Sequence, residues 1–250
     1  MFSRRVMESS PSLQQTINKY SPYLLEIRKR LLLLVIIFTL ASFVGFFYSE
    51  KIINYSLKVF QLSGVNIVFT SPFQFIDLAV NSAILTGIVV VFPLILVQAL
   101  AFLKPALRKK EFRLVLSLLP FSIILFLGGF VFGVVVMRWV VLIFYQKSLE
   151  LSIGNFLDVS RFLSQMLTTS ALMGLAFQYP VVITILIKLD VVTHQAVAKQ
   201  RLWAYMASLA FAILMPPTDL LSMALLTVPL VILFELTLLL NKLTRKGVKI

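Results

Sequence analysis

The chain has 250 residues, of which 60% are hydrophobic and 13% are charged, and its mean hydropathy is +0.98. A soluble domain has about 25% charged residues, so this composition excludes an ordinary soluble protein and indicates an integral membrane protein. The apolar segments are continuous runs without the alternation of barrel strands, which predicts membrane-spanning helices. The net charge is +13, and the absence of cysteine excludes disulfides and thiol chemistry.

Six apolar runs divide the chain, and we predict an all-α fold with six transmembrane helices. The runs are residues 31–48, 78–103, 114–140, 162–187, 202–215 and 220–240. The fifth run has only 14 residues, fewer than the roughly 17 that a span needs. Two prolines in MPPTD (215–219) predict a sharp turn directly after it. We therefore expect the fifth and sixth helices to form a tight hairpin.

The basic residues predict the orientation of these helices. Six crossings place both termini and the second and fourth loops on one face, which carries eighteen of the Lys and Arg residues against five on the other. Loops rich in Lys and Arg stay in the cytoplasm, so we predict cytoplasmic termini. Contact with anionic lipid headgroups is a further expectation for these basic residues. We expect no nucleic-acid partner.

Catalytic and pump functions find little support in the sequence. No nucleotide-binding glycine motif and no metal-ligand cluster is present, and we expect no cofactor, no metal and no enzymatic activity. The only histidine, His194, falls in a predicted loop and is expected to be solvated. The apolar runs contain Glu235 as an ionisable group, with Gln98 and Gln178 as uncharged polar insertions. An ion-driven transporter has more such groups at mid-membrane depth, so a protein that binds a partner fits better.

Two glutamates stand at the edge of apolar runs inside basic clusters, and two interpretations remain open for them. Glu26 precedes Arg28, Lys29 and Arg30, and Glu111 lies within FLKPALRKKE (102–111). Each can pair with a nearby basic residue: Glu26 with Arg30 one helical turn later, and Glu111 with a basic residue of its loop. Alternatively, the two carboxylates receive a cationic ligand, for which guanidinium groups are suited because they grip a carboxylate through two parallel hydrogen bonds.

Other polar and small residues in the runs also admit two interpretations. Gln178 in FQYP (177–180) either contacts a partner helix or is satisfied inside the chain, beside a helix disruption at Pro180. Glu235 either reaches towards Lys242 or stays protonated. Gly129 and Gly133 form a G-x-x-x-G pattern, for which close packing within the chain is the favoured use.

Six motifs, taken in order and at their spacings, resemble the TatC family, the polytopic receptor subunit of twin-arginine protein translocases. They are LLEIRKRL (24–31), SPFQF (71–75), VFPLILVQ (91–98), FLKPALRKKE (102–111), FQYP (177–180) and PPTD (216–219). The resemblance implies a concave, glove-like bundle with short fifth and sixth helices. It divides the chain into a polar segment (1–20), one membrane domain (21–240) and a basic cytoplasmic tail (241–250).

The resemblance also implies a function and a set of site residues. The chain would bind Arg-Arg signal peptides of folded cargo and recruit single-span TatA/TatB-type partners and other TatC copies, with transport driven by the protonmotive force. The implied signal-peptide site comprises Glu26, Arg28, Phe102, Pro105, Leu107 and Glu111. Implied partner contacts are Gln178, Pro180, Met215 and Pro217, and further polar family positions are Gln98, Asp219 and Glu235. Where members of the family have a glutamate in the fourth span, this chain has Gln178.

Two functions from other classes compete with a receptor. A transporter or channel subunit for a small anionic solute would use the basic face to attract its substrate. A structural scaffold for a membrane complex would tolerate changes at Glu26 and Glu111. The implied membrane is a bacterial plasma membrane, or an inner or thylakoid membrane of an organelle of bacterial descent.

Overall fold

A computed structural model of the chain describes residues 11–60, 66–68, 71, 73–151 and 156–246. The first ten residues of the predicted polar segment and the last four of the basic tail lie outside the described residues. The helices are α1 (Pro11–Phe47), α2 (Ser49–Phe60), α3 (Gln74–Leu103), α4 (Lys109–Glu150), α5 (Val159–Ala176), α6 (Tyr179–Lys188), α7 (His194–Lys199), α8 (Arg201–Leu214) and α9 (Leu220–Lys246). A 3₁₀ turn (Lys104–Ala106) joins α3 to α4.

Among the residues that the structure describes, five helical segments are long and apolar enough to cross a bilayer, judged by length and composition. They are Leu25–Phe47, Gln74–Leu103, Lys109–Ser148, Ser160–Lys188 and Leu220–Thr244. The fourth is interrupted between α5 and α6, at Phe177 and Gln178, as the sequence predicted. Pro180 has no N–H to donate, and its ring would clash with the carbonyl four residues earlier, so the helix cannot run straight through this point.

The expectation of two short final helices is half correct. The helix α8 has 14 residues and falls below the length of a full span, as predicted. The helix α9 has 27 residues, so the expectation of a short sixth helix is wrong. Polar side chains near its C-terminal end bond back to the helix: Asn241 Nδ2 donates to the carbonyl of Thr237 at 2.9 Å. The helix continues beyond the end of the apolar run, to Lys246.

Two glycines of α4 allow this helix to pack closely against α5. A Cβ on Gly133 would lie 2.6 Å from Cα of Ser170, and one on Gly129 would lie 2.6 Å from the carbonyl oxygen of Met173. These contacts bring α4 against α5 and confirm that the G-x-x-x-G pattern packs within the chain. The aromatic rings of Phe92 and Phe126 stack between α3 and α4 with centroids 3.9 Å apart.

A short parallel strand pair joins the segments that precede α3 and α5. The strands β1 (Asn66–Val68) and β2 (Phe156–Asp158) pair with Asn66 opposite Phe156. Asp158 then caps α5 by accepting a hydrogen bond from the N–H of Arg161 at 3.1 Å, and it accepts a second from Nε2 of Gln74 at 2.7 Å. The starts of α3 and α5 are thus joined at one end of the molecule.

Gly133 offers a direct test of the α4–α5 contact. Gly133→Ala places a methyl group against the backbone of Ser170, and we expect it to lower the free energy of unfolding by about 1–3 kcal/mol. Gly128→Ala is the matched control, because a Cβ there meets nothing within 4 Å, and better helix propensity predicts no loss or a gain of up to about 1 kcal/mol. Unfolding of both variants in detergent provides the measurement, and equal stability of the two would contradict the packing.

Candidate functional site

Glu26 on α1 is linked to α3 through Arg30. Its Oε1 accepts hydrogen bonds from Nε and Nη2 of Arg30 at 3.1 and 2.6 Å, which confirms the predicted pairing. Nη1 of Arg30 reaches across to α3 and donates to the side-chain Oε1 of Gln98 at 2.7 Å. Within the part of the chain that the structure describes, no hydrogen bond reaches Oε2 of Glu26. The side chain of Glu26 is 42% exposed, so this oxygen is available to a ligand.

Glu111 is the third residue of α4 and has a structural role at the start of that helix. Its Oε2 accepts a hydrogen bond from the backbone N–H of Arg108 at 2.9 Å. A glutamate at this position satisfies one of the N–H groups that the first turn of a helix leaves without a partner. Its Oε1 lies 3.9 Å from Nε of Arg108, which makes an ion pair but no hydrogen bond. The predicted pairing with a basic loop residue is therefore confirmed.

The turn before Glu111 contains the other residues that the resemblance implied. Phe102 lies in the last turn of α3 and is half-buried, Pro105 is exposed in the 3₁₀ turn, and Leu107 follows it half-buried with an extended backbone. Proline fixes φ near −65°, which suits the start of such a turn. The turn sets the direction in which α4 leaves α3 and thereby the position of Glu111.

Glu26 and Glu111 lie at the same end of the molecule. Arg30 ties Glu26 to Gln98, which precedes the end of α3 by about one and a half helical turns, and Glu111 begins the next helix. The surrounding basic residues are exposed: Arg28, Lys29, Lys104, Arg108, Lys109, Lys110 and Arg113. Two carboxylates in a strongly positive surround are the distinctive electrostatic feature of this end.

A shallow groove runs along one face of α1, and all the described residues that line it belong to this helix. It has a volume of about 580 Å³ and is almost entirely apolar, with the basic residues Arg28 and Lys29 at one end. The apolar lining residues are Leu25, Leu32, Leu33, Ile36 and Ile37. Such a surface can hold an extended apolar segment whose charged end lies near Glu26.

Gln178 is satisfied inside the chain. Its Oε1 accepts a short hydrogen bond from the hydroxyl of Ser122 on α4, and its Nε2 donates to the carbonyls of Ser122 and Gly174 at 3.2 and 3.3 Å. The amide thus fills the break between α5 and α6 and joins both helices to α4. Pro180 is buried in the first turn of α6.

The turn between α8 and α9 is packed and capped. Met215 is 1% exposed and belongs to the core, and the hydroxyl of Thr169 on α5 donates to the carbonyl of Pro216. Pro217 is half-buried. Asp219 precedes α9 and accepts hydrogen bonds from the N–H and hydroxyl of Ser222 at 2.8 and 2.6 Å. Asp219 therefore acts as a helix cap.

One of the two alternatives for Glu235 is excluded, and the expectation of a solvated His194 is wrong. Glu235 does not reach Lys242: its two oxygens contact Nη2 of Arg201 at 3.3 Å and the hydroxyl of Tyr205 at 2.5 Å, both on α8. His194 is the first residue of α7 and is half-buried, and its Nε2 donates to the carbonyl of Leu238 at 3.0 Å. Residues distant in the chain supply these partners, so local spacing did not identify them.

The sequence reasoning did not identify the long-range partners of the site. Gln98 stood out as a polar residue in an apolar run, but its contact with Arg30 joins residues 68 positions apart. The sequence contained no signal for Ser122 as a partner of Gln178, because a lone serine in an apolar helix commonly bonds its own backbone. The polar insertion itself was the available signal, since a buried amide requires partners.

The fold defines a polytopic α-helical membrane protein, and comparison with known proteins identifies its family. The family model for "Sec-independent protein translocase protein (TatC)" matches residues 22–229. The chain is 34% identical to TatCy of Bacillus subtilis over 88% of this chain and 87% of that protein, and 30% identical to TatC of Listeria innocua over 89% and 90%. The chain belongs to the TatC family, and it is a component of a protein translocase.

Solved structures agree with this assignment. A crystal structure titled "Twin Arginine Translocase Receptor- TatC in DDM" matches with a TM-score of 0.78 at 26% identity, over 87% of this chain and 98% of that one. A second crystal structure of a TatC receptor matches with a TM-score of 0.69 at 27% identity, over 88% and 98%. The chain shares the fold of these receptors and is a multi-pass membrane protein.

Proposed function

We propose that this chain is the receptor subunit of a twin-arginine translocase, which binds the Arg-Arg signal peptides of folded cargo. The observation that carries the proposal is the pair of carboxylates on Glu26 and Glu111. Both lie at one end of the molecule, and each has one oxygen that no described residue engages by a hydrogen bond. The name of the solved relatives as twin-arginine translocase receptors supports the same function.

Guanidinium groups suit this pair better than ammonium groups do. At Glu26, the guanidinium of Arg30 already directs two N–H groups to one carboxylate oxygen. A second guanidinium could approach the remaining oxygen, whereas Lys offers a point charge without the planar fork. The basic surround of Glu111 disfavours stray cations by like-charge repulsion.

The groove on α1 provides a place for the rest of the signal peptide. Its apolar lining suits the hydrophobic segment of a signal peptide, and its basic end lies beside Glu26. The half-buried side chains of Phe102 and Leu107 add apolar surface at the turn before Glu111. A peptide with two arginines followed by an apolar segment would contact the carboxylates and the groove together.

We propose six crossings with both termini on the cytoplasmic side of a bacterial plasma membrane or of a related organellar membrane. The excess of Lys and Arg on one face supports this orientation, and the bacterial relatives support the membrane. The helix α8 extends for about 21 Å at 1.5 Å per residue, against a hydrocarbon core of about 30 Å. Local thinning of the bilayer would compensate for this difference.

Partner recruitment belongs to the same proposal, with transport of cargo driven by the protonmotive force. Single-span TatA/TatB-type proteins and further TatC copies are the expected partners. Of the residues that the family resemblance assigns to such contacts, Pro217 is half-buried, whereas Met215 and Pro180 are buried inside the chain, so a partner would reach them only after the bundle rearranges. Gln178 already has partners inside the chain. A partner helix at Gln178 would therefore share or replace the bond to Ser122. Anionic lipids are proposed as additional contacts of the basic face.

Cysteine labelling tests the orientation, since the chain contains no cysteine of its own. We expect Leu220→Cys to react with a membrane-impermeant reagent from outside and Lys242→Cys only after the membrane is opened. Both positions are exposed, at 84% for Leu220. The reverse pattern at both sites would contradict the proposed six crossings with cytoplasmic termini.

Peptide binding tests the receptor function. We expect the purified protein in detergent to prefer an Arg-Arg signal peptide over its Lys-Lys variant. Glu111→Gln should weaken Arg-Arg binding by roughly 10- to 100-fold, because a charge-assisted hydrogen bond is worth about 1.5–3 kcal/mol. Glutamine preserves the hydrogen bond to the N–H of Arg108 and with it the start of α4, so the loss would report on charge. Raising the salt concentration should reduce the difference.

Glu150→Gln is the matched control for this experiment. Glu150 is near the other end of α4 and pairs with Lys147 at 2.6 Å, three residues earlier, as Glu111 pairs with Arg108. We expect this variant to bind the peptide like the wild type. Equal binding of both peptides to all three proteins would remove Glu111 from recognition and favour the scaffold hypothesis.

A further inference from the structure

A second cleft lies away from the acidic pair, between α7 and the last turns of α9. Its volume is about 490 Å³. Three basic residues line it, namely Lys199, Arg201 and Lys242, together with the apolar side chains of Leu238 and Leu239. The cleft therefore combines positive charge with an apolar wall.

The basic residues of this cleft differ in whether they are paired. Arg201 contacts Glu235 at 3.3 Å, and that carboxylate also accepts a hydrogen bond from the hydroxyl of Tyr205. Lys199 and Lys242 are exposed, and neither forms an ion pair with any residue that the structure describes. After Arg201 and Glu235 neutralise each other, the cleft retains two uncompensated positive charges.

The position of the cleft relative to the membrane follows from α9. The apolar span on this helix ends at Thr244, so Lys242 lies at the edge of the span on whichever side the C-terminus faces. The side chains of Leu239 and Leu243, on either side of it in the chain, are 53% and 58% exposed. The ammonium groups of lysines at this depth lie among the lipid headgroups, and the neighbouring apolar side chains face the acyl chains.

The helix α7 holds Lys199 over this surface. The hydrogen bond from Nε2 of His194 to the carbonyl of Leu238 fastens the start of α7 to α9. The six residues of α7 end at Lys199, and Arg201 begins α8 directly afterwards. The lysine from α7 and the lysine from α9 are thus presented to the same cleft by two elements fixed to each other.

We propose that this cleft binds the phosphate group of an anionic phospholipid, with Lys199 and Lys242 contacting the phosphate and Leu239 contacting an acyl chain. Free inorganic phosphate shares the headgroup chemistry but cannot use the apolar wall. The site does not include Glu26 or Glu111, so it is independent of signal-peptide recognition. A specifically bound lipid would stabilise the contact between α7, α8 and α9.

The test measures stabilisation of the full chain in detergent by short-chain phosphatidylglycerol, compared with phosphatidylcholine of the same chain length and with inorganic phosphate. We expect phosphatidylglycerol to raise the unfolding temperature most strongly. Lys199→Gln combined with Lys242→Gln should weaken the apparent affinity for phosphatidylglycerol by roughly 10- to 30-fold, because each lysine near an anionic lipid strengthens binding by roughly three- to fivefold. The variant with Arg at both positions should retain binding.

Lys51→Gln combined with Lys58→Gln is the matched control, because it removes the same charge from exposed lysines of α2, which lie outside both the cleft and the basic face. We expect this control to bind phosphatidylglycerol like the wild type. An equal loss in the control, or wild-type affinity in the Lys199 and Lys242 double variant, would overturn the proposal. Stabilisation by inorganic phosphate as strong as that by phosphatidylglycerol would overturn the lipid assignment and leave a site for a soluble anion.

Discussion

The need to satisfy polar side chains inside an apolar medium determines how these helices are arranged. A polar group in hydrocarbon has no water to bond with, so it must find a partner in the protein. In the described part of the chain, five such contacts link different helical segments. The contacts are Arg30 to Gln98, Asn81 to Ser164, Ser122 to Gln178, Asn241 to Thr184 and Tyr205 to Glu235. Each is worth about 0.6 kcal/mol on average, but together they fix which helix faces which.

The candidate site depends on the same contacts. Arg30 can orient Glu26 only because Gln98 holds the other side of its guanidinium against α3. Glu111 is fixed by the start of α4, where it accepts a backbone N–H. In both cases a structural bond engages one oxygen of the carboxylate, and no described residue donates a hydrogen bond to the other. Structural pairing and ligand binding are therefore compatible roles for one glutamate.

Local patterns in the sequence predicted much of this architecture, and long-range partners were beyond them. The pairing of Glu26 with Arg30, the break before Pro180 and the packing at Gly133 depend on neighbours within a turn or two or on a helical repeat. The length of α9 was underestimated because a helix can continue through polar residues after its apolar run ends. The partners of Glu235 lie on another helix about thirty residues away, and spacing along one helix carries no information about them.

A double-mutant cycle between this chain and an Arg-Arg signal peptide tests whether Glu26 and Glu111 bind the two arginines. Glu26→Gln and Glu111→Gln would each be combined with peptides in which one or the other arginine is replaced by the neutral analogue citrulline. We expect each glutamate to couple to a different arginine, with coupling energies of about 0.5–3 kcal/mol, as for groups in direct contact. Additive effects in all four combinations, within about 0.3–0.5 kcal/mol, would show that neither carboxylate contacts the arginines and would contradict the account.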